Sequence, residues 1–152
     1  MQITVDLHSH SGYAGGVGDV SLDAVAQAIA FKGIDVYGCG DCIYPLRTEY
    51  LKHCFKEMSN GLFAFGDYKA RFLLQTEIIL TVSLHGYKNR ILAHHLIFFP
   101  DFESISGMQK LLEKWGQKNT IGRPFITCRD QSELEDRLFA IADLHPLIEI
   151  IP

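Results

Sequence analysis

The chain has 152 residues, 47% of them apolar, and this length and content suit a single domain with a buried core. Its formal net charge is −4 and its pI is near 5.9, so no basic field indicates nucleic acid or an anionic membrane as a partner. No apolar stretch approaches the ~20 residues that span a bilayer, and the first residues lack a signal-peptide pattern. Four cysteines without an export signal indicate reduced thiols, so we expect a cytoplasmic protein.

The first predicted strand lies within residues 3–10 and ends in His8-x-His10, after which several glycines predict a loop. Residues two apart on a strand point to the same face. The two imidazoles therefore leave the strand side by side, as two nitrogen ligands of one metal ion would. The pair alone is also compatible with two ordinary polar residues at a strand end, so the metal interpretation depends on further ligands.

The segments that follow alternate between helix and strand. Ser21 can cap a helix that ends at Gly33, and residues 34–38 predict a second strand. These elements form a parallel βαβ unit with a loop at the C-terminal end of each strand. The remaining predictions are a helix over about residues 48–58 that ends at Ser59-Asn60-Gly61, a long hairpin of strands over 72–84 and 91–99, a helix after Asp101, a strand over 125–127, a helix with a capping box that begins at Ser132, and a strand over 147–151.

Glu77 is the only acidic residue between Asp67 and Asp101, and it lies in an otherwise apolar strand. Burial of an unpaired carboxylate costs several kcal/mol, so such a residue needs a positive partner or a metal ion. We therefore interpret Glu77 as a functional residue.

The neighbouring predicted strand contains His94-His95. Adjacent strand residues face opposite ways, so only one of the two can join His8 and His10 in a common pocket. The residues themselves leave open which one does. A set of three imidazoles and one carboxylate suits zinc, manganese or iron, and a bridging carboxylate can hold two ions that activate water and clamp a phosphoryl group.

Motifs along nearly the whole chain match one known pattern in order. They are Asp6-Leu7-His8-Ser9-His10-Ser11, Lys32–Val36 followed by Gly38, Gly40 and Asp41, Thr76-Glu77, His94–Pro100 followed by Asp101-Phe102-Glu103, Gly122-Arg123-Pro124, and Ile150-Ile151-Pro152. These motifs resemble the PHP (polymerase and histidinol phosphatase) family, whose members are metal-dependent phosphoesterases. The resemblance is closest to the endonuclease Q branch, which cuts DNA beside deaminated bases.

The resemblance implies an α/β fold, a partial (βα)7 PHP-type barrel of parallel strands with crossover helices plus a hairpin. It also implies one to three divalent ions, zinc or manganese. Counting back from Pro100 favours His94 over His95 as the ligand. The implied metal ligands are His8, His10, Glu77, His94 (or His95) and Asp41, with Asp41 either a ligand or a residue that orients one, and with Glu77 and Asp41 as the catalytic candidates.

The chain also departs from the family pattern. Many PHP domains carry a further His or Asp shortly after the HxH motif, and a histidine directly after the second-strand Asp. This chain has Gly15-Gly16 and Cys42 in those regions. A third metal site is therefore weakened unless Cys42 or Asp19 substitutes. Cys39-x-x-Cys42 is alternatively a redox pair or half of a zinc site.

The family's last strands, which complete its metal site, have no counterpart in this sequence. A barrel cut after roughly half its strands leaves an unpaired edge and an uncovered apolar face. We therefore expect a homo-oligomer, or a complementing C-terminal segment that completes the domain in trans.

Three functions compete at this point. The first is a DNA endonuclease-like hydrolase that acts at deaminated bases, with Lys88, Arg90 and Arg123 as candidate phosphate contacts, although these are also explained as turn and surface charges. The second is a PHP-type phosphatase of small phosphoesters, which fits the acidic pI better. The third is a catalytically inactive remnant that binds a metal or a partner.

Overall fold

The computed structural model describes residues 2–14, 18, 20–59 and 61–152. The elements in chain order are β1 (Val5–Asp6), a 3-10 turn (Gly12–Ala14), α1 (Leu22–Phe31), β2 (Val36–Gly38), α2 (Pro45–Cys54), β3 (Phe55–Ser59), β4 (Leu62–Phe65), β5 (Arg71–Val82), β6 (Ile91–Phe99), α3 (Phe102–Lys114), β7 (Phe125–Cys128), α4 (Gln131–Ala142) and β8 (Glu149–Ile151).

The long strand β5 connects all parts of the sheet. Its first residues pair in parallel with β2 and antiparallel with β4, and β1 and β3 extend the sheet on either side. Its later residues pair antiparallel with β6 and in parallel with β7, while β8 adds to β6. β2 and β7 lie along the same edge of β5. The close approach of Gly122, before β7, to Asp41, after β2, is consistent with this arrangement. The two parallel partners therefore diverge around the middle of β5.

The two faces of β5 have different roles. Leu74, Ile78 and Leu80 point into the main core, which also contains Ile105 and Met108 of α3. The alternate residues, which include Glu77, point to the opposite face. Because that face is also buried at the middle of the strand, any polar side chain there must find its partners inside the protein.

Several predicted elements are confirmed. Ser21 caps α1 by accepting a hydrogen bond from the Ala24 N–H at 3.2 Å, and β1, α1 and β2 form the expected parallel βαβ unit. The long hairpin is present as β5 and β6. None of the described helices combines the length and apolarity needed to cross a membrane.

The predicted helix over residues 48–58 is wrong in its second half. The helix ends at Cys54, and Phe55 begins a strand that pairs with β4. The prediction rested on the spacing of Leu51, Cys54, Phe55 and Met58, which suits one helical face. In the structure, Phe55 stacks on Phe63 with ring centroids 5.8 Å apart, whereas Met58 is exposed. Of the predicted break at Ser59-Asn60-Gly61, Asn60 lies outside the described residues.

The start of the last helix also differs from the prediction. Asp130, rather than Ser132, is the N-cap of α4, and its side chain accepts from the Glu133 N–H at 2.9 Å. Ser132 therefore lies within the first turn of the helix.

Within the described part of the chain, four strands have a single partner and form open edges of the sheet. β1 pairs with β2, β3 with β4, β7 with β5 and β8 with β6. An apolar cavity of about 310 Å³ lies between β1 and β8, lined in part by Leu7, Leu73, Phe98, Leu147 and Ile151.

The first turn of α4 gives a prediction on pH-dependent stability. The backbone N–H of Arg129, its guanidinium and that of Arg137 all donate to Glu133, which lowers the pKa of this carboxyl to about 2 from an ordinary 4.5. A carboxyl with a lower pKa in the folded state stabilises the protein above the unfolded-state pKa, and this contribution is lost as the pH falls towards 2. Glu133→Gln should therefore lower the urea midpoint at pH 7 and cause little change near pH 2.

Glu135→Gln is the matched control, because Glu135 accepts only from Gln131 on the exposed side of the same helix. A Glu133→Gln deficit of equal size at pH 7 and pH 2 would contradict the assigned interaction.

Candidate metal centre

The segment His8-Ser9-His10 packs closely against the end of β2. A Cβ atom at Gly38 would lie 2.8 Å from the Leu7 carbonyl oxygen, and one at Gly40 would lie 2.8 Å from that of Ser9. Only glycine permits these approaches. The Ser9 hydroxyl donates to the Gly38 carbonyl, so the segment is held across the strand end.

His8, His10 and Glu77 bring three ligand atoms together. The two Nε2 atoms lie 3.3 Å apart, and Glu77 Oε2 lies 2.9 Å from His10 Nε2 and 3.5 Å from His8 Nε2. Ligand atoms of a tetrahedral ion with bonds of ~2.0 Å lie about 3.3 Å apart, so these separations are those of a coordination shell. In the described part of the chain, this is the one group of three such residues with converging ligand atoms.

Glu77 Oε2 is the atom that most clearly requires a cation. Glu77 is 1% exposed, and no donor forms a hydrogen bond with this oxygen. When His10 Nδ1 carries its proton towards Asp41, its Nε2 lone pair faces Oε2, and two acceptors face each other. A divalent ion between them removes that repulsion. The residues present therefore fit a metal ion.

Asp41 lies behind His10 and is fully buried. Its Oδ1 is 3.4 Å from His10 Nδ1, and its Oδ2 accepts from the Ser11 N–H and hydroxyl, both at 2.6 Å. Its φ of 54° is in the left-handed region, which is uncommon for a residue with a side chain. Asp41 is thus placed to orient His10 and lies outside the three-atom group around Glu77.

The two adjacent histidines occupy opposite faces of β6. His94 pairs with Ile79, so it lies diagonally across from Glu77 on the same face, and its Nδ1 contacts Glu77 Oε1. His95 pairs with Ile78 and is 8% exposed in an apolar environment, where burial lowers its pKa. His94 therefore lies at the centre and His95 does not.

The pKa of Glu77 reflects two opposing effects. Burial raises it, whereas the contact with His94 and the nearby His10 and Arg123 lower it. These contacts outweigh the burial, so the net pKa is lower than usual. Glu77 is accordingly ionised at neutral pH and can act as an anionic ligand.

The three basic residues predicted as phosphate contacts are in different places. Arg123 Nη1 lies 3.5 Å from Glu77 Oε2, and its buried Nε has no partner. Arg90 donates to the Thr81 carbonyl at 3.0 Å and to the Ser83 hydroxyl at 3.1 Å, so it stabilises the hairpin. Lys88 is exposed in the same hairpin loop, beyond the end of β5. Of the three, Arg123 is the residue at the centre.

The substitutes suggested for a third metal site find no support in the described residues. Cys42 and Cys39 are free, buried thiols whose pKa is raised by burial, and Cys42 does not converge with the three ligand atoms. Asp19 and Gly15-Gly16 lie outside the described residues.

Two polar residues at the centre were missed by sequence reasoning. Ser11 holds Asp41, and Gln75 is fully buried beside Ser9. The one sequence signal for Gln75 is the alternation of side chains along a strand. Gln75 precedes Glu77 by two residues, so both side chains point to the same face.

Comparison with known proteins identifies the fold. No protein-family model matches the chain. An uncharacterized protein of Methanocaldococcus jannaschii is 30% identical over 137 residues, which are 89% of this chain and 15% of that protein. The lesion-specific endonuclease PfuEndoQ from Pyrococcus furiosus superposes with a TM-score of 0.73 at 22% identity, over 97% of this chain and 33% of that one.

A second structure, endonuclease Q in complex with a 27-mer duplex that has an abasic lesion at the active site, gives a TM-score of 0.75 at 23% identity, over 97% of this chain and 34% of that one. At these identities the likeness shows the fold, a mixed α/β arrangement with a curled, half-barrel sheet and helices. The chain spans about a third of the length of these structures and far less of its curated relative.

The close approach of Gly122 to Asp41 gives a test of the centre's packing. A Cβ atom on Gly122 would lie 2.8 Å from the Asp41 Cβ, so Gly122→Ala should lower the free energy of unfolding by ~1–3 kcal/mol, measured by urea denaturation. Gly116→Ala is the matched control, because the φ values are +68° and +65° but nothing lies within 4 Å of a Cβ at Gly116. Equal losses in the two variants would contradict the contact with Asp41.

Proposed function

We propose that the chain is a metal-dependent phosphoesterase, a DNA endonuclease-like hydrolase that acts at deaminated bases. The observation that carries the proposal is the buried Glu77 Oε2, which faces the Nε2 atoms of His8 and His10 without a hydrogen bond. The fold shared with endonuclease Q supports the choice of reaction, and the structure of that enzyme with a lesion-containing duplex supports DNA as the substrate.

In this proposal, His8, His10 and Glu77 hold one divalent cation, zinc or manganese. His94 contacts the other oxygen of Glu77, so these two residues would be ligands of a second cation. A divalent cation supplies Lewis-acid activation of water and neutralises charge on a phosphoryl group. The protein contributes the geometry that would hold the cation where water and a phosphoryl group can reach it.

The other residues of the centre position these ligands. Asp41 fixes the tautomer of His10 by facing its Nδ1, and Ser11 in turn fixes Asp41 with two hydrogen bonds of 2.6 Å. Arg123 is 31% exposed in its side chain, so its guanidinium can contact both Glu77 and a phosphate oxygen of the substrate. We propose Lys88 as a more distant contact to the DNA backbone.

Access to the centre is from one side. The side chains of His8 and His94 are 51% and 50% exposed, whereas those of Glu77 and Asp41 are buried. A phosphodiester of a large substrate can therefore reach the imidazoles from solvent. The net charge of −4 favours a second candidate, a small phosphoester, because it provides little long-range attraction for DNA.

The first test is strand cleavage of duplexes that contain uracil or hypoxanthine, with an undamaged duplex as reference and Mn²⁺, Mg²⁺ or Zn²⁺ added. Glu77→Gln should reduce cleavage by ~100-fold or more, and Asp41→Asn by ~10–100-fold, because the first removes a ligand's charge and the second an orienting group. Glu49→Gln, which alters an exposed acid paired with Lys52, should keep wild-type activity. Full activity of Glu77→Gln would contradict the proposal.

The second test is metal removal. Dialysis against a chelator should abolish turnover, and readdition of Mn²⁺ or Zn²⁺ should restore it, since no donor forms a hydrogen bond with Glu77 Oε2 and the proposed reaction needs a cation there. A parallel panel of phosphomonoesters distinguishes the two substrate classes. Activity that survives exhaustive chelation would contradict metal dependence.

A further inference from the structure

Gln75 is a polar residue of the centre that the proposed function does not use. It is fully buried on β5, and because it precedes Glu77 by two residues, both side chains point to the same face. Its Oε1 accepts from the Ser9 N–H at 3.3 Å, while its Nε2 has no hydrogen-bond partner. An apolar residue of the same size would avoid the cost of that unpaired donor, so stability alone does not explain a glutamine here.

Gln75 contacts both loops that form the centre. Its side chain reaches Ser9, between His8 and His10, and its backbone carbonyl accepts from the Cys42 N–H at 3.1 Å, next to Asp41. A Cβ at Gly38 would lie 3.2 Å from the Gln75 Cβ, so β2 lies directly against this residue.

The His8–His10 segment needs such a contact because sheet pairing does not extend to it. The last pair between β1 and β2 is Asp6 with Tyr37. Beyond it, Ser9 is held by its hydroxyl on the Gly38 carbonyl and by its N–H on Gln75. The 3.3 Å separation of the two imidazole Nε2 atoms therefore depends on contacts made by Ser9.

We propose that Gln75 is a positioning residue of the metal centre, which fixes the Ser9 backbone so that His8 and His10 present both Nε2 atoms to one cation. This role rests on the proposed function, because the cation site is the same one. Gln75 itself does not contact the ion or the substrate in this proposal.

The test compares three variants of the full chain. Gln75→Met keeps the size and removes the acceptor, and Gln75→Asn moves the acceptor away from Ser9 by one methylene. Gln109→Met is the matched control, since it removes a half-buried amide that donates to the Ile43 carbonyl and the Thr48 hydroxyl at 2.9 and 3.1 Å.

Two quantities are measured for each variant. One is the affinity for Mn²⁺ and for Zn²⁺, by calorimetric titration, and the other is amide hydrogen exchange at Ser9 in the metal-free protein, by NMR. Gln75→Met should bind either ion 10–100-fold more weakly and exchange faster at Ser9. Gln109→Met should bind both ions within about threefold of wild type, with Ser9 still protected.

The outcomes separate this role from the proposed function. Wild-type affinity and wild-type Ser9 protection in Gln75→Met would overturn the positioning role and leave the proposed function intact. Failure of the wild type to bind either ion would overturn the proposed function, and this role with it. Where Gln75→Met does not fold, Gln75→Asn gives the same comparison, with weaker binding and faster Ser9 exchange expected.

Discussion

The burial of one carboxylate in the middle of an apolar strand constrains the rest of this structure. Desolvation of an unpaired carboxylate costs several kcal/mol, so each oxygen of Glu77 requires a hydrogen-bond donor or a cation. His94 meets one oxygen, and His8, His10 and Arg123 surround the other without forming a hydrogen bond to it. The loops after β1 and β2 and the segment before β7 all approach this point. In the proposed function, a cation would supply the partner that Glu77 Oε2 lacks.

The topology explains why the centre lies at Glu77 and not at a strand end. β2 and β7 pair with the same edge of β5 at different positions along it, so a gap opens between them. The loop after β2 and the segment before β7 enter that gap, where Thr76 donates to the Gly122 carbonyl at 3.2 Å and the Pro124 carbonyl accepts from the Ile79 N–H at 3.0 Å. Ligand sites of open α/β sheets commonly lie where neighbouring strands diverge in this way.

Strand periodicity predicted much of the centre, because it is a local property. The alternation along the strand placed the side chains of His8 and His10 on one face. The position of Glu77 among apolar residues predicted a functional role for this carboxylate. The alternation did not choose between His94 and His95, which required the family resemblance. Helical spacing, by contrast, placed Phe55 wrongly in a helix, because its packing against Phe63 and Phe72 holds it in β3. Alternation along the strand could place Gln75 on the face of Glu77, but the contact of Gln75 with Ser9 and that of Arg90 with Cys128 join residues distant in the sequence, which the local pattern does not predict.

The uneven exposure of these side chains bears on how a cation would reach the centre. Glu77 is buried beneath the imidazoles, while the side chains of His8 and His94 are half exposed. A cation would therefore approach from the solvent side, past His8 and His94, without any opening of the fold. Because a site of this ligand type favours zinc over manganese, the metal supply as well as the affinity would decide which ion occupies it.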